Sequence, residues 1–199
     1  SGGPVRLDAA LRQDVAFLLG AAPLARGPAG ARRRGRTPAD SVRRRIVTPL
    51  ELSLSRHPFF QEFGQAHLAS IAACANTAIF DAGTFLFREG EPAHAFFAVQ
   101  RGRVAIASIT PHEGPLTIQS VGDGDLLGWS WLVPPYRWHF GARAIEATSV
   151  IAFNAACVRQ QVDRDHELGF LIMRRFAQIM ASRLEALSAQ LTTVYEFRR

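Results

Sequence analysis

Gly83-Thr84-Phe85-Leu86-Phe87-Arg88-Glu89-Gly90-Glu91-Pro92 opens the stretch that decides the fold. Ala95-Phe96-Phe97-Ala98-Val99-Gln100-Arg101-Gly102-Arg103-Val104-Ala105-Ile106 follows, and then Gly122-Asp123-Gly124-Asp125-Leu126-Leu127-Gly128-Trp129-Ser130-Trp131. The texture is constant: short apolar or alternating runs, each closed by glycine. Phe85 and Phe87 alternate with Thr84, Leu86 and Arg88, and Val104, Ile106 and Ser108 with Arg103, Ala105 and Ala107. Farther on, Val150, Ala152 and Asn154 share one parity, Ile151 and Phe153 the other. Turn signals at Gly83, Gly90, Gly102, Gly114-Pro115, Gly122 and Gly124 recur at intervals of roughly 8–12 residues, the spacing of an all-β barrel or sandwich. Residues 76–154 are therefore predicted as short strands.

The flanks are helical. Thr48 is a fitting N-cap, with Pro49 in the first helical position and Glu51 in the third. The helix runs to about Arg56 and ends at His57-Pro58-Phe59-Phe60; a second spans Gln65 to Ala73, with Leu68, Ile71 and Ala72 on one side. A domain is expected to start near residue 48. After the strands, Asn154 or Ala155 begins helix again. Residues 164–196 are predicted as one long helix, broken at most near Gly169, with Asp163 and Asp165 as capping charges near its start. Phe170, Met173, Ala177, Met180, Leu184, Leu187, Leu191 and Val194 follow 3-4-3-4 spacing, and Ile172, Phe176 and Ile179 form an adjacent stripe. One stripe can pack on the strands while the other meets a second subunit, so a homodimer through this helix is expected. The competing reading is a monomer whose last two turns fray.

Composition narrows the class. The chain has 199 residues, 48% of them apolar, which suits one domain with appendages. No run of ~18 apolar residues exists, so no membrane span is expected. Val15 to Leu19 is short, and its surroundings do not read as a secretory signal. Cys74 and Cys157 stand alone, without CxxC or metal-ligand spacing. They are expected to be small buried hydrophobes in a reducing cytoplasm, not a disulfide or zinc site. Basic charge is uneven. Residues 1–47 hold ten Arg against three acids, whereas residues 48–199 hold thirteen Arg against fourteen acids, with no Lys anywhere. Leu7, Leu11, Val15, Leu18 and Leu19 have helical spacing, but Pro23 to Arg45 reads as linker, and segment 1–47 as a largely disordered tail. Its triplets Arg32-Arg33-Arg34 and Arg43-Arg44-Arg45 read either as a nucleic-acid or acidic-membrane tether or as a solvated run. The absence of Met before Met173 is read as a sign that Ser1 is not a native, unprocessed start.

The glycine-framed blocks, with the helix, Pro-Phe-Phe, helix phrase before them, resemble the cyclic-nucleotide-binding domain of the catabolite-activator (Crp/Fnr-like) family of bacterial regulators. The resemblance covers about residues 48–197. It implies a mainly β fold: a β-roll of the jelly-roll type over 48–163, short N-terminal helices, and a long C-terminal dimerisation helix over 164–199. It also implies a phosphate-binding cassette over Gly124 to Arg143, where a Glu holds the ribose and an Arg the cyclic phosphate. Here the chain departs from the pattern. Trp129 stands where the Glu is expected. Anchoring on Ile145 and Ala147 puts Gly141 in the place of the Arg, with Arg143 two residues on and on the same strand face. Arg137 is a looser candidate.

The candidate ligand-binding residues are thus Gly124, Asp125, Leu127, Gly128, Trp129, Ser130, Trp131, Arg137 and Arg143. Trp129, Trp131, Trp138, Tyr136 and Phe140 fall within a dozen residues. They read either as a pocket for a planar acidic ligand, with Arg143 or Arg137 on its acid, or as indoles filling the pocket. No catalytic residue, metal site or cofactor is assigned, and cyclic nucleotide is disfavoured. The expected role is a non-catalytic sensor or regulatory domain whose cassette couples to the C-terminal helix. In this family a helix-turn-helix usually follows that helix, and none stands before Arg199, so direct operator reading is not expected of this chain. The rival readings are a cyclic-AMP-binding component of a transcription regulator and nucleic-acid association through the Arg-rich tail. A third, a cupin-like metalloenzyme, would need more than Glu91 and His94.

Overall fold

The computed structural model describes residues 47–110 and 114–196. The expected tail lies outside the described residues. Helices α1 (Pro49–Arg56) and α2 (Gln65–Ala72) flank a 3-10 turn at Pro58–Phe60. Eight strands follow: β1 (Ala75–Phe80), β2 (Phe85–Phe87), β3 (Ala95–Arg101), β4 (Val104–Thr110), β5 (Gly114–Val121), β6 (Leu126–Leu127), β7 (Gly141–Ala144) and β8 (Thr148–Asn154). Helices α3 (Ala155–Arg164) and α4 (His166–Glu196) close the chain. The strands form two antiparallel sheets, ordered β1-β8-β3-β6 and β2-β7-β4-β5. This is a β-roll with flanking helices. No described helix is long and apolar enough to cross a membrane.

Ala95 to Val99 of β3 are all buried, which requires cover on both faces of the first sheet. Phe97 points at the second sheet and stacks on Phe87 with centroids 5.8 Å apart. Phe96 points the other way, between Phe153 at 4.4 Å and Trp131 at 4.9 Å. Phe176 of α4 meets Phe96 edge-on at 5.6 Å and Phe59 at 5.2 Å. The first half of α4 is thereby docked by Leu168, Ile172 and Phe176, all buried. Arg175 adds bonds to the carbonyls of Pro58 and Phe59, and Arg174 pairs with Glu62.

The local signals work as chemistry predicts. Thr48 Oγ1 accepts from the Glu51 N–H at 3.2 Å, with Pro49 in the first turn. Gly102 has φ +109°, and a Cβ there would lie 2.8 Å from the Thr148 Cα, so the β3–β4 corner needs glycine. The helical break falls at Asp165 rather than Gly169. Asp165 caps α4 by accepting from the Leu168 N–H at 3.1 Å. Gly169 lies inside α4, where a Cβ would sit 2.8 Å from Val162 Cγ1, so its role is close packing of α3 against α4.

One expectation is overturned. Cys74 and Cys157 form a disulfide, with Cα atoms 5.5 Å apart. The reason is topological. Strand β1 pairs with β8, so Cys74, just before β1, lies beside Asn154, whose N–H donates to the Cys74 carbonyl at 2.8 Å. Asn154 caps α3 through the Cys157 N–H, which puts Cys157 in the first turn above Cys74. An 83-residue separation hides this adjacency in the sequence.

His57 is buried and its Nδ1 accepts from the Phe59 N–H at 3.3 Å, so it must stay neutral there. Burial pushes its pKa below the ordinary 6.5, against a smaller upward pull from Asp125 and the Val99 carbonyl. The lowered folded-state value means that the neutral ring's contribution is complete above pH 6.5 and is lost as pH falls through that value. We expect the urea midpoint to drop between pH 7 and 5.5, with a slope of at most about 1.4 kcal/mol per pH unit from this group. His57→Asn keeps an acceptor without a titration and should flatten the profile. Equal slopes in the two proteins would refute the assignment.

Candidate functional site

A cavity of about 250 Å³ lies between the second sheet, the segment after β6, and α4. Phe87, Ile106, Ile118 and Gln119 contribute from the sheet. Gly128, Trp129, Ser130, Trp138 and Phe140 contribute from the segment expected to be the cassette. Met180, Arg183, Leu184 and Leu187 contribute from α4. The walls are largely apolar, and among the described residues no Asp or Glu lines them.

Local geometry explains each part. Gly128 has φ +90°, and a Cβ on it would lie 2.8 Å from the Trp138 ring. Glycine lets that indole lie flat on Phe87, 3.7 Å between centroids at 14°. Trp138 is therefore wall and core at once. Trp129 is half-buried and stacks on His139 at 4.7 Å and 19°. Ser130 is buried and its hydroxyl is 3.0 Å from His139 Nδ1, which fixes the ring beneath Trp129. Trp131 leaves the cavity altogether and belongs to the Phe96 cluster.

Of the nine residues selected from sequence, Gly128, Trp129 and Ser130 line the cavity. Gly124 packs its backbone against Pro58, and Asp125 accepts from the Gly122 N–H at 2.8 Å. Leu127 is core. Arg137 donates to the Gly90 carbonyl at 2.7 Å. Arg143 is exposed, donates through Nε to the Gly83 carbonyl at 2.7 Å and lies over Phe85 at 5.7 Å. Neither arginine lines the cavity. The aromatic cluster thus divides its labour: Trp131 fills the core, while Trp129, Trp138 and Phe140 wall a space that stays open.

Sequence reasoning missed the cation that does line it. Arg183 reaches from α4, and its guanidinium donates to the Leu126 carbonyl. Burial pulls its pKa below the ordinary value, and Asp125 partly opposes this. The signal was present. Arg183 sits three residues after Met180 and four before Leu187, on the face of those apolar residues. In the structure Met180, Leu184 and Leu187 of the eight-residue stripe border the cavity.

Comparison with known proteins places this geometry. The family model described as cyclic nucleotide-binding domain matches residues 78–165. A segment of 64 residues is 40% identical to cyclic nucleotide-gated ion channel 18 of Arabidopsis thaliana, covering 32% of this chain and 9% of that protein. The chain thus spans under a tenth of the length of that curated relative. Among solved structures, a protein of Geobacter metallireducens described as cyclic nucleotide-binding superposes with a TM-score of 0.61 at 26% identity, over 70% of this chain and 99% of that one. The catabolite activator protein of Thermus thermophilus is similar in fold, with a TM-score of 0.56 at 20% identity over 69% of this chain and 63% of that one. Over residues 78–165 this chain is therefore similar to cyclic nucleotide-binding domains, and it shares the β-roll of these solved structures.

Proposed function

We propose that this chain is a non-catalytic sensor domain of cyclic-nucleotide-binding fold, whose cavity takes a small ligand other than a cyclic nucleotide held in the family's manner. The observation that carries the reading is that α4 forms one wall of the cavity through Met180, Arg183, Leu184 and Leu187. A ligand in the cavity touches the helix directly, so its binding energy can bias the position of α4. Among the described residues no three His, Cys, Asp or Glu gather as metal ligands.

The readout of that bias is a homodimer through α4. Its outward stripe is exposed: Phe170 by 63% and Met173 by 50%. Apolar side chains at helical spacing on a free face are the ordinary material of a helix–helix contact. Sedimentation should show a dimer. Met173→Asp with Ala177→Asp, two positions away from the cavity wall, should give a folded monomer. A wild-type protein that stays monomeric at high concentration would remove the coupling, and with it the sensor mechanism.

A further inference from the structure

We propose that Arg183 is the recognition cation of this cavity, and that the ligand is a flat, mostly apolar molecule bearing a single carboxylate-type anion. The proposal rests on reading the cavity as a ligand site.

Shape and charge both point this way. Trp129, Trp138 and Phe140 line the cavity, and Trp129 and Phe140 are only half-buried, so aromatic surface borders the space a planar ring would enter. Arg183 is the one charged side chain lining the walls among the described residues. The arginines of the preceding segment are engaged elsewhere, Arg137 on Gly90 and Arg143 on Gly83. Among the described residues, the hydrogen bond of Arg183 is to the Leu126 carbonyl. Asp125 is near enough to favour its charge, but Asp125 Oδ2 is occupied by the Gly122 N–H and forms no ion pair with it. A guanidinium offers five donors in a planar fork. One carbonyl leaves most of that fork unused in a partly desolvated place. A carboxylate fits it bidentately and restores the lost solvation. The charge count sets the ligand class. One guanidinium against apolar walls balances one negative charge, and a second would be buried without a partner.

The same residue explains how the helix would register the ligand. Arg183 stands on α4 and ties it to β6 through Leu126. An incoming carboxylate competes with that carbonyl for the fork, so recognition and the α4 tether are one set of bonds.

Titration calorimetry with naphthalene-2-carboxylate and naphthalene-2-carboxamide tests this, since the two share a ring and nearly a shape but differ in charge. Wild-type protein should prefer the carboxylate by about ten- to a hundredfold. Arg183→Met should bind the amide as wild type does and lose the preference. Arg183→Lys, which keeps charge without the fork, should retain part of it. Circular dichroism melts establish that both variants fold. Amide binding without a carboxylate preference in wild type, or a preference that survives in Arg183→Met, overturns the role of Arg183 while leaving the cavity a ligand site. Failure of both compounds to bind wild type overturns the ligand-site reading, and the proposal with it.

Discussion

Protein with Cys74 and Cys157 both replaced by Ala should unfold with about 2–4 kcal/mol less free energy than the oxidised wild type, and melt roughly 6–12 °C lower. The disulfide closes a loop whose ends are 83 residues apart. For that length the chain-entropy relation gives about 4.5 kcal/mol of lost freedom in the unfolded chain, an upper figure that native relaxation reduces. The native state should hardly change. The β1–β8 ladder from Ala75↔Phe153 to Phe80↔Thr148 holds both ends in place, and Asn154 is bonded to the Cys74 carbonyl. The effect therefore belongs to the unfolded ensemble, and it has a second signature. Without the cross-link the unfolded chain is more expanded, so the dependence of unfolding free energy on urea should steepen. Reducing the wild type should reproduce both changes. An unchanged midpoint after reduction would mean that the bond contributes nothing beyond the strand pairing.

The disulfide also shows where the sequence is silent. The β-roll was legible because its signals are local. Glycine with positive φ marks the turns at Gly83, Gly90, Gly102, Gly124 and Gly128, and alternation exposes one strand face at a time. The cap at Thr48 and the Pro-Phe-Phe turn likewise need only neighbours in sequence. Cys74 and Cys157 meet through a register between the first and last strands, which no local pattern encodes. The cavity divides in the same way. Gly128, Trp129 and Ser130 were legible from the glycine frame. Arg183 was not, because it comes from a helix more than fifty residues later. Periodicity said that its face of α4 is apolar and could not say against what. The path of Arg143 was not legible for the complementary reason. Strand parity fixes the side of β7 on which it stands, but not the path of a long side chain, and the free Gly83 carbonyl lies within its reach.

Cyclic AMP should bind this protein weakly or not at all, two to four powers of ten below a domain with both polar anchors. Where the family resemblance calls for the ribose-holding Glu, Trp129 presents an indole stacked on His139. Where it calls for the phosphate-holding Arg, Gly141 presents no side chain, and Arg143 is held by Gly83 and Phe85. Hydrogen bonds to charged groups are worth about 1.5–3 kcal/mol each, so two lost anchors account for the deficit. Restoring them is feasible on steric grounds. A Cβ on Gly141 would meet nothing nearer than 3.7 Å, and this glycine does not adopt a positive φ, so an arginine fits its backbone. Trp129 is half-buried at the cavity wall, and shortening it to Glu opens space without cutting into the Phe96 cluster. The double variant Trp129→Glu, Gly141→Arg should therefore gain cyclic AMP affinity by about two powers of ten or more in titration calorimetry, while either single change gains less. Arg183 separates this outcome from the ligand class proposed above. The restored Glu and Arg would hold the ribose and phosphate from the segment after β6 and from β7, not from α4, so Arg183→Met should leave the gain from the two restored anchors in place while removing carboxylate preference. Micromolar cyclic AMP binding by the wild type, abolished by Arg143→Ala, would instead show that Arg143 leaves Gly83 to take the phosphate, and that the cassette works in the family's own way.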